Sequence, residues 1–204
     1  RLFPLVVYYA IPNLITLCFD CNAATENSLK NSQKTRVGVL LCGGRGSRLF
    51  PLTNFQNKHT LPIGLVPMVM YPVKTLRTFS VSRVVIIVDR DGANSIIEML
   101  GSGKEFGMEF TYRIQEGASG IASALYLAKD FITDAEEIVC ILGDNIFDND
   151  SLETTISFAD TEASVFVKKV TNPQDYGVAK IVNEKVEKII EKPKDFVSDL
   201  AVVG

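Results

Sequence analysis

The segment "RVGVLLCGGRGSR" (residues 36–48) determines the fold, because an apolar strand and a flexible, positively charged loop meet within it. Residues 36–42 form an almost continuous apolar run, which is typical of a parallel strand covered on both faces. Three glycines and two arginines follow where this strand should end. Glycine tolerates positive φ and lets backbone N–H groups approach a ligand, so such a loop can bind an anion. The loop lacks the Walker A pattern and the complete dinucleotide fingerprint, and taken alone it could be a simple turn.

From residue 35 onward the chain alternates apolar runs with segments of helical spacing. This order predicts an α/β domain with a Rossmann-like, mainly parallel sheet and helices on both faces. In such a sheet, ligands bind beyond the carboxyl ends of the strands, where the loops converge. We expect a hairpin around Asn183 and Glu184, with polar residues at the turn. The other predicted strands are 81–89, 108–115, 136–145 and 163–170, and the predicted helices are 67–79, 93–100, 119–132 and 151–159.

The composition is that of a globular protein with one domain of ordinary size. The chain has 204 residues, of which 47% are hydrophobic, and its formal net charge is −3. This acidic balance argues against a general nucleic-acid binder, although it allows a local basic cluster for a phosphate ligand. Cys42 and Cys140 lie inside apolar runs, so we expect reduced core cysteines and a cytoplasmic protein.

The N-terminal residues 1–34 do not join the α/β pattern. Residues 1–19 are apolar, but two prolines interrupt them and the run falls short of a secure membrane span or signal peptide, so no membrane association is expected. The polar stretch "NSLKNSQK" predicts a linker, which places a domain boundary near Lys34 and assigns 35–204 to the α/β domain. The chain starts without Met and stops at "AVVG" within an apolar run, so we expect a fragment.

Three charged side chains are candidates for phosphate chemistry. Arg48 and Lys58 lie in the loop after the first strand, where they could neutralise phosphate oxygens or simply face solvent. Asp144 follows the apolar run of "ILGDNIF" and is placed to hold Mg²⁺, which takes one or two carboxylates plus substrate phosphates. Capping of the following turn is the commoner role of a lone Asp at such a position.

Other polar residues point less clearly to chemistry. Asp148 and Asp150 are expected to be turn residues, and His59, the sole histidine, is expected to be a polar neighbour of Lys58. No Ser/His/Asp or Cys/His pair is evident in the sequence.

Seven short segments follow one another along residues 35–204: "GVLLCGGRGSRLFPLT", "NKHTLPI", "PMVMYP", "QEGASGIASALYLAKDFI", "ILGDNIF", "NPQDYGVAKI" and "IIEKP". In this order they resemble the sugar nucleotidylyltransferases, most closely the glucose-1-phosphate thymidylyltransferases. The forms "LGDNIF" and "DYGV" favour the thymidylyl branch over the uridylyl one.

The resemblance implies a nucleotide-diphospho-sugar transferase fold and a Mg²⁺-dependent reaction between a nucleoside triphosphate and a sugar 1-phosphate. Glucose 1-phosphate and dTTP are the expected substrates, and a nucleotide sugar and pyrophosphate the products. A homo-oligomer is expected for the full-length form, with neither nucleic acid nor membrane as partner.

The family pattern also implies roles for individual residues. Arg48 would stabilise the pyrophosphate, Lys58 the sugar phosphate and α-phosphate, and Asp144 would hold Mg²⁺. The implied nucleotide-binding residues are Leu41, Gly43, Gly44, Gly46, Ser47, Gln115 and Gly120, of which Gln115 and Gly120 would contact the base. The implied sugar-phosphate-binding residues are Gly177, Glu191, Lys192 and Val202.

The sequence departs from the family pattern at two positions and leaves alternatives open. Val66 stands where the family usually has Lys, and Ala118 where it usually has Pro. A non-catalytic nucleotide- or sugar-binding relative and a UTP-using pyrophosphorylase are alternatives. "NLITLCFDCN" (13–22) also resembles the last part of an HNH nuclease, in which Cys18 and Cys21 would help hold a structural metal; an ordinary apolar lead-in is the other interpretation.

Overall fold

A computed structural model of the chain describes residues 5–7, 15–19, 35–44, 46–117, 120–147, 163–182 and 185–202. The strands are β1 (Leu5–Val7), β2 (Ile15–Phe19), β3 (Arg36–Cys42), β4 (Pro62–Ile63), β5 (Val66–Pro67), β6 (Arg83–Asp89), β7 (Glu109–Gln115), β8 (Glu137–Leu142), β9 (Ala163–Lys169), β10 (Gly177–Val182), β11 (Lys185–Glu191) and β12 (Leu200–Val202). The α-helices are α1 (Met70–Thr78), α2 (Ala93–Leu100) and α3 (Gly120–Leu127). Short 3₁₀ turns occur at Ser47–Leu49, Leu52–Asn54, Lys58–Thr60, Lys104–Phe106 and Pro173–Asp175.

The chain divides into two compact units, Arg36–Phe147 and a second unit of Arg1–Thr35 with Asp148–Gly204. The Arg36–Phe147 unit contains a fully parallel sheet in the order β8-β3-β6-β7. Helices α1, α2 and α3 lie in the connections between these strands. This arrangement confirms the prediction of an α/β fold with a mainly parallel sheet.

The strands of this sheet are buried, as their continuous apolar sequences predict. In β3 and β6 the side chains of Val37, Val39, Leu40, Ile86 and Ile87 are fully buried. Gly38 lies between them, where an added Cβ would approach Val81, Val84 and Leu76 to 3.0–3.2 Å. The centre of β3 therefore accepts helix α1 and the neighbouring strand at very close range.

The second unit is built mainly from antiparallel strands. Strand β10 pairs with β11 and with β12, and β12 also pairs with β9. Strand β9 pairs with β2 in antiparallel and with β1 in parallel orientation. A small apolar cluster of Val165, Val167, Ala179 and Val186 packs on one face of these strands. The β10–β11 pairing confirms the predicted hairpin.

The predicted elements that lie within the described residues match observed ones, although two helices and strand β8 are shorter than predicted. The sequence did not predict the short strands β1, β2, β4, β5 and β12. Helix α1 begins at Met70 rather than at 67, because Val66 and Pro67 form β5, which pairs with β4. Pro72 is tolerated because it lies in the first turn of the helix, where a backbone N–H has no intrahelical partner. Helix α3 ends at Leu127, and residues 128–131 continue as turns. The predicted helix at 151–159, Asp148, Asp150, Ala118, Cys21 and most of 1–34 lie outside the described residues.

Burial in the parallel sheet should dominate the stability of the Arg36–Phe147 unit. Replacing Ile86, which is 0% exposed, by Ala should lower the free energy of unfolding by about 2–5 kcal/mol, because it leaves a cavity among β-strand side chains. The same substitution at Ile97, which is 41% exposed on α2, is the control and should cost less than about 1 kcal/mol. Urea denaturation measures both values, and equal losses would contradict this account of the core.

Candidate functional site

The glycine loop begins where β3 ends, and a neighbouring strand holds it in place. Gly44 adopts a φ of 108°, which favours glycine, and its N–H donates to Asp89 Oδ2 at 3.0 Å. Asp89 is the last residue of β6. Its other oxygen, Oδ1, accepts from the Gly92 N–H at 2.7 Å, at the start of α2. One carboxylate thus joins the loop after β3 to the loop after β6.

The same loop packs closely against the segment that carries Lys58. Gly46 has a φ of 60°, and an added Cβ would lie 2.9 Å from Lys58 Cβ and 2.9 Å from Thr53 Cγ2. Thr53 Oγ1 donates to the Gly46 carbonyl at 3.0 Å. Glycine at position 46 therefore brings the stem of the lysine against the loop.

Lys58 and Asp144, the two charged residues predicted on either side of the site, form an ion pair. Lys58 Nζ lies 2.6 Å from Asp144 Oδ2. Burial alone would raise the pKa of Asp144, but the hydrogen bond and positive charge of Lys58 outweigh it and hold that pKa below its ordinary value of 3.8. The carboxylate is therefore ionised at neutral pH and available as a ligand for a cation.

His59 packs beneath this ion pair and is 1% exposed. Asn57 Oδ1 accepts from the His59 backbone N–H at 2.9 Å and lies 2.8 Å from Nδ1, so Nδ1 carries the ring proton. Burial, reinforced by the charge of Lys58, lowers the pKa of His59 to about 4. A Cβ on Gly143 would lie 2.7 Å from His59 Cδ2 and 2.8 Å from Cys42 Sγ. The neutral ring and the thiol thus fix the backbone just before Asp144.

The thiol of Cys42 is buried at the end of β3. Burial raises its pKa far above the ordinary 9.0, so it stays protonated. Cys42 and Cys140 are both buried free cysteines, as the sequence predicts. Cys42 therefore contributes packing at the site rather than nucleophilic chemistry.

A cleft of about 670 Å³ opens at the carboxyl ends of the parallel strands. Most of the predicted nucleotide-binding and catalytic residues line it, together with Asp89, Arg90 and Asp91. The predicted residues in its lining are Leu41, Gly43, Gly44, Lys58, Gln115, Gly120 and Asp144.

The far side of this cleft combines an amide with apolar side chains. Gln115, at the end of β7, donates through Nε2 to the Gly120 carbonyl at 3.1 Å. Its Oε1 lies 3.4 Å from the position of a Cβ on Gly43. Ile121 and Ala124 of α3 line the same wall. The amide of Gln115 could hydrogen-bond to the edge of a planar heterocycle, and the apolar side chains of α3 could pack against its face.

The remaining predicted residues of the glycine loop lie away from the main cleft. Ser47 lines a second cleft of about 450 Å³, which is bounded by the 3₁₀ turns after the glycine loop and by the start of α2. Arg48 is exposed in the turn Ser47–Leu49 and lines neither cleft. The structure therefore brings Lys58 and Asp144 together but leaves Arg48 outside the contact.

The predicted sugar-phosphate-binding residues gather at one end of the sheet in the second unit. Gly177 of β10 is paired with Glu191 of β11 on one side and with Val202 of β12 on the other. A Cβ on Gly177 would lie 3.0 Å from Glu191 Oε2. Lys192 follows at once and donates its N–H to the Tyr176 carbonyl at 2.9 Å. All four form one local cluster.

Lys192 has a left-handed backbone, with φ of 44°. This conformation costs a non-glycine residue roughly 1–2 kcal/mol. The strained position lies within the cluster predicted to bind a sugar phosphate, and such strain is more common at functional sites than elsewhere.

Asp89, Arg90 and Asp91 are the charged cleft residues that the sequence interpretation did not single out. Asp89 is the last residue of the apolar strand "RVVIIVD", and Asp144 comes two residues after the apolar strand "EIVCIL". An acidic residue at the end of a second buried strand was the signal that could have identified it.

Asp144 suits a magnesium ion that also contacts a ligand. In the part of the chain that the structure describes, no group of three or more His, Cys, Asp or Glu side chains could hold a metal by itself. Mg²⁺ is commonly bound through one or two carboxylates plus substrate phosphates, and an ionised, partly exposed Asp144 in the cleft provides one of these. The residues present fit such a shared ion.

Comparison with known proteins gives a consistent family relationship. A sequence model described as nucleotidyl transferase matches residues 37–204. The low-salt glycan biosynthesis nucleotidyltransferase Agl11 of Haloferax volcanii is 36% identical over 170 residues, covering 82% of this chain and 47% of the relative. The glucose-1-phosphate thymidylyltransferase of Neisseria meningitidis is 34% identical over 171 residues, covering 82% and 59%.

Solved structures support the same fold. A Bacillus anthracis protein assigned as a glucose-1-phosphate thymidylyltransferase, in complex with sucrose, superposes with a TM-score of 0.73 at 39% identity, covering 83% of this chain and 69% of that one. A UDP-glucose pyrophosphorylase complexed with UDP-glucose gives a TM-score of 0.67 at 21% identity, covering 83% and 74%. The chain spans about half to three fifths of the length of the two relatives above. None of the helices within the described ranges is long and apolar enough to cross a membrane.

The buried neutral His59 should make stability fall as the solution is acidified. Its pKa is about 4 in the folded protein and near 6.5 when unfolded, so the unfolded state binds the extra proton between these values. The stabilisation is complete above pH 6.5 and should fall by about 2 kcal/mol between pH 7.5 and pH 5. Because the chain has a single histidine, His59→Gln should remove most of this dependence. Urea denaturation at both pH values tests this; an unchanged slope in the variant would contradict it.

Proposed function

Because this chain belongs to the nucleotidyl transferase family, we propose that it joins glucose 1-phosphate to dTTP, forming a nucleotide sugar and releasing pyrophosphate. The Lys58–Asp144 ion pair beside the glycine loop carries this proposal, because it provides a fixed cation and a carboxylate in one cleft. A site that only binds nucleotide has little need for both.

In the proposed reaction, an oxygen of the sugar 1-phosphate attacks the α-phosphorus of the triphosphate. A new P–O bond forms there, the bond from the α-phosphorus to the oxygen bridging to the β-phosphate breaks, and pyrophosphate leaves with that electron pair. Such a step depends on positioning and charge neutralisation more than on a covalent intermediate. The state of Cys42 agrees with this, since its thiol is buried and protonated and so is not a reactive nucleophile.

The glycine loop and Lys58 would neutralise the phosphates. Gly43 and Gly44 line the cleft, where their backbone amides would donate to phosphate oxygens. The ammonium group of Lys58 would contact the α-phosphate and the incoming sugar phosphate, two groups whose negative charges repel each other. Arg48 would neutralise the departing pyrophosphate from the loop that borders the second cleft.

Asp144 would hold a Mg²⁺ ion together with the phosphates of the substrates. When bound, Mg²⁺ supplies further neutralisation of negative charge on the phosphate oxygens. Asp144 itself keeps the Lys58 ammonium group directed into the cleft through the 2.6 Å contact.

The substrate preference rests on similarity and on the walls of the cleft. Glucose-1-phosphate thymidylyltransferases that are 34–35% identical to this chain supply the choice of dTTP and glucose 1-phosphate. Gln115, beside Gly120 and the apolar residues of α3, would contact the base. Gly177, Glu191, Lys192 and Val202 form the cluster proposed to contact the sugar phosphate.

Pyrophosphate release tests the proposal. The chain should release pyrophosphate when incubated with Mg²⁺, glucose 1-phosphate and dTTP, and more slowly with UTP. Lys58→Ala should lower kcat/KM by roughly 10²–10³-fold, the loss typical of removing one group that stabilises transition-state charge. Lys74→Ala, which removes an exposed lysine on α1, is the matched control and should leave the rate unchanged.

Two results would contradict this proposal. Binding of nucleotide without pyrophosphate release from any of the common triphosphates would favour a non-catalytic nucleotide-binding protein. Equal rates for Lys58→Ala and Lys74→Ala would remove Lys58 from the reaction. Faster release from UTP than from dTTP would instead assign the chain to the uridylyl branch.

A further inference from the structure

Asp89 occupies an amide that the glycine loop would otherwise offer to a phosphate. The Gly44 N–H donates to Asp89 Oδ2 at 3.0 Å, at an exposed position at the cleft. A carboxylate oxygen is an anionic acceptor, as a phosphate oxygen is, and both are suited to the same backbone donor. The chain thus carries its own anion at the proposed phosphate loop.

The contact also lies where the two clefts meet. Gly44, Asp89 and Asp91 line both the 670 Å³ cleft and the 450 Å³ cleft. The main cleft contains Gln115 and the apolar wall of α3, whereas the second is lined by both polar and aromatic side chains, among them Ser47, Asn57 and Phe55. The hydrogen bond from Gly44 to Asp89 therefore forms part of the wall between a cleft suited to a nucleoside and a cleft of mixed lining behind the loop.

The charge balance of the main cleft makes Asp89 unfavourable for a polyphosphate. The lining carries the cations Lys58 and Arg90 and the carboxylates Asp89, Asp91 and Asp144. Asp144 is paired with Lys58, whereas the two side-chain hydrogen bonds that Asp89 accepts come from the neutral backbone amides of Gly44 and Gly92, and no described residue forms an ion pair with it. A triphosphate entering this cleft would meet the negative charge of Asp89 at the loop amide it needs.

We infer that Asp89 is a latch that competes with the phosphate chain of the nucleotide for the Gly44 amide. Its contact with the Gly44 N–H ties the glycine loop to the end of β6. A ligand with β- and γ-phosphates must break the hydrogen bond between Gly44 and Asp89, and breaking it opens the wall between the two clefts. A nucleoside monophosphate can bind in the main cleft while this hydrogen bond stays intact. This inference rests on the proposed function, since it assumes that a nucleoside triphosphate is the ligand.

The substitution Asp89→Asn separates the latch from the structural role of this side chain. The two backbone donors contact different oxygens of Asp89, and an amide has an oxygen at only one of these positions, with an NH₂ group at the other, so it can accept from either Gly92 or Gly44 in this geometry. The bond to Gly92 is shorter, at 2.7 Å, and part-buried, so the variant should keep it and free the exposed Gly44 N–H. It also removes the negative charge at the loop.

The test compares triphosphate with monophosphate affinity by calorimetric titration at fixed Mg²⁺, with dTTP and dTMP and, in parallel, UTP and UMP. In Asp89→Asn the triphosphate should bind roughly tenfold more tightly, and the monophosphate should change by less than about threefold. The matched control is Asp91→Asn, which removes the same charge from the lining of both clefts, where Asp91 is not hydrogen-bonded to any described residue of the glycine loop. The control should shift the ratio of the two affinities by less than about threefold.

Each other outcome overturns the latch. The inference is wrong if the ratio of triphosphate affinity to monophosphate affinity in Asp89→Asn is unchanged or lower than in wild type. If the role of Asp89 were only structural, the substitution would weaken the binding of both ligands alike. The inference is also wrong if Asp91→Asn raises the ratio as much, because general charge then explains the effect. If wild type binds neither triphosphate, both the proposed function and the latch fail; if it binds one and the ratio does not rise, only the latch fails.

A second variant covers the case in which Asp89→Asn does not fold. Asp89→Ser keeps a side-chain oxygen that can accept from the Gly92 N–H but is too short to reach Gly44 as well. It should raise the same affinity ratio, and circular dichroism with thermal unfolding confirms that the variant is folded before titration. A folded Asp89→Ser with an unchanged ratio would overturn the inference by itself.

Discussion

The shared register of four parallel strands places the charged groups of the proposed site. In β3, β6, β7 and β8 the carboxyl ends meet at one edge, with Leu41 opposite Leu142 and Asp89 opposite Gln115. Because side chains alternate between the faces of a strand, a slip of one residue would move buried valines and leucines onto the wrong face. Burial of the apolar strands therefore enforces the register, and the register brings loops distant in sequence into one cleft.

Within that edge, small residues and one buried ring set the geometry of the ion pair. Gly46 lets the loop pack against the stem of Lys58, and Gly143 lets the turn before Asp144 pack against His59. Any Cβ at either glycine would push one member of the pair away. The low pKa of His59 follows from the same packing, because a charged ring is unfavourable in a dry position next to Lys58. Stability and the placement of charge thus depend on the same contacts.

The sequence predicted the elements well, because continuous apolar runs distinguish buried parallel strands from helices. It also predicted half of the cleft lining. The contacts of Asp89 were missed, because they depend on two amides, Gly44 and Gly92, that only folding brings together. The early end of α3 was not evident either, since "LAKDF" keeps helical spacing beyond Leu127. The spacing of apolar residues in the sequence predicts which strand ends lie at the same edge of the sheet. Hydrogen bonds to particular backbone groups depend on the paths of the loops, which this spacing does not determine.

The central claim is that nucleotide phosphates bind at the carboxyl edge of the parallel sheet, between the glycine loop and the Lys58–Asp144 pair. A crystal structure with Mg²⁺ and an α,β-methylene analogue of dTTP, which cannot undergo the transfer, tests it most directly. The account predicts phosphate oxygens within hydrogen-bond distance of the Gly43 and Gly44 amides and of Lys58 Nζ, with the base beside Gln115. An analogue bound away from this edge, with the Lys58–Asp144 contact unchanged, would contradict it.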